Sequence, residues 1–157
     1  MPVERTLIIL KPDAVNRGLC GKVLSRIEEK GLKIVGLKMM WLNKEILEKH
    51  YAHLASKPFF PDLVGFMSAS PVIVGAVEGR NAVEVMRNMC GVTDANKAAP
   101  GTIRGDFAVS TSRNIIHASD SVETAKREIS LFFKEDELFN YELNSRQFLY
   151  AGDELNR

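Results

Sequence analysis

Arg113-Asn114-Ile115-Ile116-His117-Ala118-Ser119-Asp120-Ser121 places one histidine between an apolar pair and a run that reads as a helix start. An imidazole with its ordinary pKa of about 6.5 is a neutral nucleophile or base at cellular pH without further tuning. A lone histidine on an apolar run is more often a core side chain satisfied by its neighbours. The residues elsewhere in the chain favour chemistry at His117. Val92 to Arg104 has no periodicity, and supplies glycine, hydroxyls at Thr93 and Thr102, and the guanidinium of Arg104. Such groups suit an anion: backbone N–H donors that glycine lets approach, and a fork matched to phosphate oxygens. Arg87 in the last turn of the preceding helix can converge on the same place, although a helix-dipole partner is its ordinary role. Lys11 ends a buried apolar strand just before Pro12, so its ammonium projects at a sheet edge where ligands often bind. The usual phosphate machinery is missing. Gly21-Lys22 has Asn16 where a P-loop needs glycine and no following Ser or Thr, and there is no protein-kinase set of His-Arg-Asp and Asp-Phe-Gly. Phosphoryl transfer through a nucleophilic histidine, with Lys11, Arg87 and Arg104 around the phosphates, needs neither.

The elements that must position these groups follow from hydrophobic pattern. Thr6 to Leu10 is a strand buried on both faces. Leu19/Cys20, Val23, Leu24 and Ile27 recur at helical spacing and Gly31 stops that helix. A strand from Leu32 to about Met40 follows. Asn43 caps a helix carrying Ile46, Leu47, His50, Tyr51 and Leu54, and a shorter helix from Asp62 to Met67 follows the Pro58-Phe59-Phe60-Pro61 turn, making a helical hairpin. Pro71 to Val77 is a strand. Asn81 and Glu84 form a capping-box-like start to a helix ending at Gly91. Phe107 to Val109 reads as a further strand, and Asp120 with Glu123 opens the last helix. That helix buries Val122, Ala125, Ile129, Phe132 and Phe133, which leaves Glu128 beside the apolar stripe and in need of a partner. Tyr51 and Phe59 can stack on a planar ligand, whereas His50 and His53 are too weakly supported for a metal site. The pattern fits a doubly wound α/β sheet and an antiparallel α+β sandwich equally well.

Composition narrows the class. A chain of 157 residues, 45% hydrophobic, suits one domain with its own core, and needs no metal or disulfide staple. The net charge of +1, with acids and bases interspersed, argues against a surface built for nucleic acid or anionic lipid. Glu4 stands where a secretory leader carries bases, and Leu7 to Leu10 is too short for a membrane span, so a cytoplasmic protein is expected. Cys20 and Cys90 form no Cys-x-x-Cys or metal-type cluster, and reduced thiols are expected.

Lys11-Pro12-Asp13, Pro100-Gly101-Thr102-Ile103-Arg104-Gly105-Asp106 and Asn114 to Ser121 together resemble nucleoside diphosphate kinases, a likeness running from about Glu4 to Phe133. The resemblance implies a ferredoxin-like α/β (α+β) sandwich. Its four-stranded antiparallel sheet carries packed helices, and the helical hairpin walls the nucleotide cleft. It implies that the γ-phosphate of a nucleoside triphosphate such as ATP passes to His117 as a pros-phosphohistidine, and then to a nucleoside diphosphate such as GDP, by ping-pong. By position it assigns Lys11, Tyr51, Phe59, Leu63, Arg87, Thr93, Arg104, Thr111 and Asn114 to the nucleotide, with Phe59 against the base. Glu128 would orient His117, with Ser119 supporting the pair. Mg2+ would arrive with the nucleotide, bridging its phosphates, with no metal held by the protein itself. A homo-oligomer is implied, a hexamer in preference to a tetramer, with Phe148, Leu149 and Tyr150 of a tail from about 134 to 157 at subunit contacts. Two departures from the family pattern are Thr111-Ser112, where valine and glycine are common, and Ala118, where glycine is usual. Rival expectations are a silent nucleotide-sensing module, which would tolerate loss of His117 or Glu128, and a nucleic-acid-binding regulator, which would need a basic face.

Overall fold

The apolar run near the amino end is the centre of the molecule. In the computed structural model, which describes residues 2–155, β1 (Val3–Leu10) is an inner strand, between β3 (Val72–Arg80) and β4 (Ile116–Ala118). With β2 (Lys33–Met40) the sheet has the order β2-β3-β1-β4, and every pairing is antiparallel. Of the two architectures that periodicity left open, the antiparallel sandwich is the one formed.

Alternation along β1 explains why the run is apolar throughout. Ile8 and Leu10 face one core, with Val23 and Ile27 of α2 (Cys20–Lys30) and Ala82 and Met86 of α5 (Ala82–Cys90). Leu7 and Ile9 face the other. There they meet Leu47 of α3 (Lys44–His50), Met67 of α4 (Phe60–Met67), and Ile129 and Phe132 of α7 (Val122–Phe132). A strand covered on both faces has no solvent side on which to place polar residues. Pro12–Asn16 forms a short α1, with proline at its first turn where a missing N–H costs nothing. Gly31 ends α2 in the left-handed conformation (φ 99°), and the Asn43 side chain accepts from the Ile46 N–H at the start of α3, both as pattern indicated.

Three boundaries differ from expectation. Phe107 to Val109 is not a strand: Phe107 closes a helix, α6 (Ile103–Phe107), because the Thr102 hydroxyl accepts from the Gly105 N–H and caps the turn. The last strand is instead the one that holds His117. Ser121, not Asp120, caps α7, accepting from the Thr124 N–H at 3.0 Å. Asn81 makes no capping box: it sits at φ 54°, and its amide donates to Glu84 at 2.9 Å, the reverse of a cap.

Beyond α7 the chain returns along the sheet edge. The Phe139 N–H donates to the Val35 carbonyl, and Leu149 of α8 (Arg146–Leu149) sits over Gly31. Tyr150 reaches the Arg80 backbone, α9 (Gly152–Leu155) closes the described chain, and Phe148 is 83% exposed. Among the described residues, no helix is long and apolar enough to cross a membrane.

Candidate active site

Register delivers the histidine. His117 stands opposite Ile9 in the β1·β4 ladder, and opposed residues of an antiparallel pair point to the same face. Ile9 belongs to the core built with α3 and α7, so the imidazole is aimed at those helices. Buried positions Ala125, Glu128, Ile129 and Phe132 define one face of α7, which brings the Glu128 carboxylate to the ring. His117 Nε2 lies 3.1 Å from Glu128 Oε1 and 3.0 Å from Oε2. The Ser119 hydroxyl donates to Oε1 at 2.6 Å and accepts from the Leu7 N–H at 3.3 Å, so the carboxylate is anchored to β1 through Ser119.

The electrostatics fix the protonation states. Burial pushes the Glu128 carboxyl upward, but hydrogen bonds from His117 and Ser119, with the His50 ring close by, hold it well below the usual carboxylate range. Burial lowers the His117 pKa, with His50 and Lys11 adding to the effect and Glu128 opposing it. A neutral imidazole beside an ionised carboxylate therefore stands at neutral pH. With Nε2–H donated to Glu128, the free lone pair is on Nδ1.

Lys11 continues β1 past its last ladder residue, and its N–H donates to the Ile115 carbonyl. Its ammonium donates to Asn114 Oδ1 at 2.7 Å. The Asn114 amide nitrogen donates to the carbonyls of Thr93 (3.0 Å) and Thr111 (2.9 Å), so one buried side chain ties together three segments singled out by sequence. Ile115, between Asn114 and β4, is fully buried at φ 75°, a conformation that costs a β-branched residue about 1–3 kcal/mol. The Asp13 carboxylate accepts its N–H at 2.9 Å and holds it there.

Arg104 is more constrained than a surface phosphate ligand. It donates to the carbonyls of Asn114 (3.3 Å), Gly91 (2.8 Å) and Ile116 (2.6 Å), one from each guanidinium nitrogen, and is itself buried. A guanidinium has five N–H donors, so two remain. Arg87, Thr93 and Thr111 are exposed, and Phe59 is half-exposed at the start of α4. Leu63 follows one turn on, partly buried. Tyr51 is buried, and burial raises its phenol well above the ordinary value, with the Glu128 charge adding to the shift. The Arg113 guanidinium lies 4.0 Å from the Phe66 ring centroid, which joins the segment before His117 to the helical hairpin.

Desolvation, with Arg104 close by, brings the Lys11 pKa down to about 8, Asp13 opposing. The ammonium is charged below that pH and lost above it. Affinity for a nucleotide phosphate is therefore expected to be flat below pH 7 and to fall as pH rises through about 8. A fluorescence titration of binding against pH checks this, and Lys11→Met should bind weakly with no bend. An unchanged bend in that variant would assign it to another group.

Sequence reasoning placed His50 on the apolar face of its helix, three positions after Leu47, but did not bring it to the His117 site. Its ring meets that of His117 edge-on, centroids 4.7 Å apart. The strain at Ile115 and the carbonyl bonds of Arg104 left no sequence signal.

Comparison with known proteins bears on the chain as a whole. The family model described as nucleoside diphosphate kinase matches residues 4–138. The nucleoside diphosphate kinase of Pyrococcus horikoshii is 60% identical over 152 residues, 95% of this chain and 97% of that one. A halophilic nucleoside diphosphate kinase from Halobacterium salinarum, solved in complex with CDP, superposes with a TM-score of 0.93 at 43% identity, covering 96% of this chain and 100% of that one. A transition state mimic of the Borrelia burgdorferi enzyme with bound vanadate and ADP gives 0.86 at 40% identity, over 91% and 94%. Sequence and fold thus agree over nearly the full length, and the chain belongs to the nucleoside diphosphate kinase family of phosphotransferases.

Proposed function

We propose that the chain moves the γ-phosphoryl group of a nucleoside triphosphate to His117 Nδ1 and from there to a nucleoside diphosphate. The observation that carries this reading is the Nε2 contact with Glu128, which fixes the ring and leaves the Nδ1 lone pair free. In the first half-reaction that lone pair forms an N–P bond, the bond from phosphorus to the bridging oxygen breaks, and the diphosphate leaves with the electron pair. Positive charge on the ring is met by Glu128 through Nε2–H. In the second half-reaction a terminal oxygen of the acceptor diphosphate attacks the same phosphorus, and His117 leaves neutral. One site serves both halves, because the acceptor takes the place the first product vacated. Catalysis is then mainly positioning and charge stabilisation. Lys11, Arg87 and the two spare Arg104 donors meet the phosphates. Both amide donors of Asn114 are taken, so its Oδ1 accepts from a sugar hydroxyl, while Thr93 meets the phosphate oxygens and Phe59, Leu63, Tyr51 and Thr111 line the base and ribose.

Mg2+ fits this site only as nucleotide-borne. The groups assigned to the phosphates are cations, and the one cluster of three potential ligands among the described residues, His50, His117 and Glu128, is not the oxygen set that Mg2+ prefers. Lys11, Arg87 and Arg104 would hold the phosphates that carry the ion, and the ion would supply charge neutralisation there.

A base held by stacking on Phe59 rather than by edge hydrogen bonds is weakly discriminated. Relatives solved with CDP and with ADP support that reading, one base a pyrimidine and the other a purine. Rates for ADP, GDP, CDP and UDP as acceptors should fall within about tenfold of one another. A strong preference for one base would count against Phe59 as the main base contact.

The experiment that tests the reading is incubation with γ-labelled ATP and Mg2+ followed by unlabelled GDP. Acid-labile, base-stable label on the protein, discharged to GTP, is expected. Nucleotide binding without label would overturn the phosphohistidine route. We also read residues 1–157 as one unit, assembled as a homo-oligomer, a hexamer in preference to a tetramer, with Phe148 and the tail from 134 at the contacts. A cytoplasmic location fits the free thiols of Cys20 and Cys90.

A further inference from the structure

Glu128 has a second imidazole neighbour that phosphoryl transfer does not use. His50 Nδ1 lies 3.1 Å from Glu128 Oε2, yet its approach falls short of hydrogen-bond geometry, and among the described residues neither ring nitrogen of this fully buried side chain has a partner. His117 Nε2 is 3.0 Å from the same oxygen, and the three potential ligand atoms all lie within 4.8 Å of one another. Two imidazoles and a carboxylate are a ligand set of zinc sites that keep a fourth position open. Tetrahedral bonds of about 2.0–2.1 Å put ligand atoms about 3.3–3.4 Å apart, so both separations to Oε2 need open by only a few tenths of an ångström. The His117 side chain is 21% exposed, which gives an ion and its water a way in.

We propose that His50, His117 and Glu128 form a zinc-binding site whose occupancy switches phosphoryl transfer off. The switch rests on the reading of Nδ1 as the nucleophile. A metal ion at Nε2 takes that nitrogen's lone pair, and the neutral ring must then carry its single proton on Nδ1. Nδ1–H has no lone pair with which to attack phosphorus. The proton has moved within the ring and none is lost from it. His50 shifts its proton to Nε2 in the same way when Nδ1 ligates. The Mg2+ of the substrate does not compete, because it demands octahedral oxygen ligation and holds its waters, whereas zinc accepts imidazole readily.

The test uses the full chain freed of metal, without nucleotide, titrated with zinc chloride by calorimetry. One zinc per chain is expected, bound at least tenfold more weakly by His50→Gln. Cobalt(II) in place of zinc reports on the unaltered chain, so the outcome does not depend on the variant folding. The visible bands of a four-coordinate ion should appear, and the ring resonances of both His50 and His117 should shift. Transfer is then measured with saturating Mg-ATP and GDP at buffered free zinc, each protein against its own zinc-free rate. Zinc should suppress the wild type more than tenfold, a chelator should restore it, and His50→Gln should escape. No zinc uptake, unshifted His50 and His117 rings, or equal uptake by His50→Gln would overturn the site. Full uptake with an unaltered rate would overturn the switch. Absence of transfer in magnesium alone would count against the kinase reading and leave the uptake result standing.

Discussion

Phosphoryl transfer in His117→Ala is expected to fall by at least about ten-thousandfold, because removing a nucleophile removes the route and not merely one contact to it. Steady-state assay with ATP and GDP checks this, alongside nucleotide binding measured directly. Affinity should change little, since Lys11, Asn114 and Arg104 are bonded to one another's segments and not to His117. A rate within tenfold of wild type would refute the assignment. Glu128→Gln gives the graded companion. The amide keeps the shape but not the charge, and one amide end must face Ser119 or His117 with the wrong polarity. A loss of about 10- to 100-fold is expected, in keeping with other groups that orient a reacting histidine, and it should fall on kcat more than on KM.

The second large effect is on stability, at a position with no chemistry. A Cβ at Gly105 would stand 2.0 Å from the Ala99 carbonyl oxygen and 2.6 Å from its carbon, with Thr102 Oγ1 at 2.8 Å. Two of those atoms are backbone, and Thr102 is itself held, donating to Ala99 and accepting from Gly105. Gly105→Ala must therefore displace the turn that starts α6. Overpacking against backbone costs about 3 kcal/mol, which for a chain of this size lowers Tm by about 6–12 °C. Arg104 precedes it, so nucleotide affinity should fall as well. Thermal denaturation beside Gly21→Ala is the control, since no atom outside the local helix lies within 4 Å of a Cβ at Gly21. Equal Tm values for the two variants would show that the loop yields.

Much of the fold was legible because its signals are local. The β1 run, the Gly31 stop and the Asn43 cap each depend on a few adjacent residues. The errors lie where local signals compete. Asp120 and Ser121 are both good caps, and which one serves depends on where β4 releases the chain. Phe107 to Val109 looks like a strand, but Thr102 five residues earlier had already committed Phe107 to a helix. Within the site, Glu128 was marked by its place beside an apolar stripe. The spacing put His50 on the apolar face of its helix, but its neighbours there, His117 and Glu128, lie on other elements, which the pattern of one helix does not report. The same limit hid Ile115: a left-handed isoleucine violates the preference of its own side chain and is held by the Asp13 carboxylate, 102 positions away in sequence, and by the Lys11 N–H.

Arg104 is a buried arginine whose rotamers were surrendered when the chain folded. A free arginine loses much of its side-chain entropy on gripping a ligand, and that loss is subtracted from affinity. Three carbonyls already immobilise Arg104, so its two remaining donors meet a phosphate with the ordering complete. Exposed Arg87 has no such restraint among the described residues. The two arginines therefore differ in the thermodynamic form of their contribution. Calorimetry should find the Arg104 share of binding almost wholly enthalpic, and the Arg87 share offset by entropy.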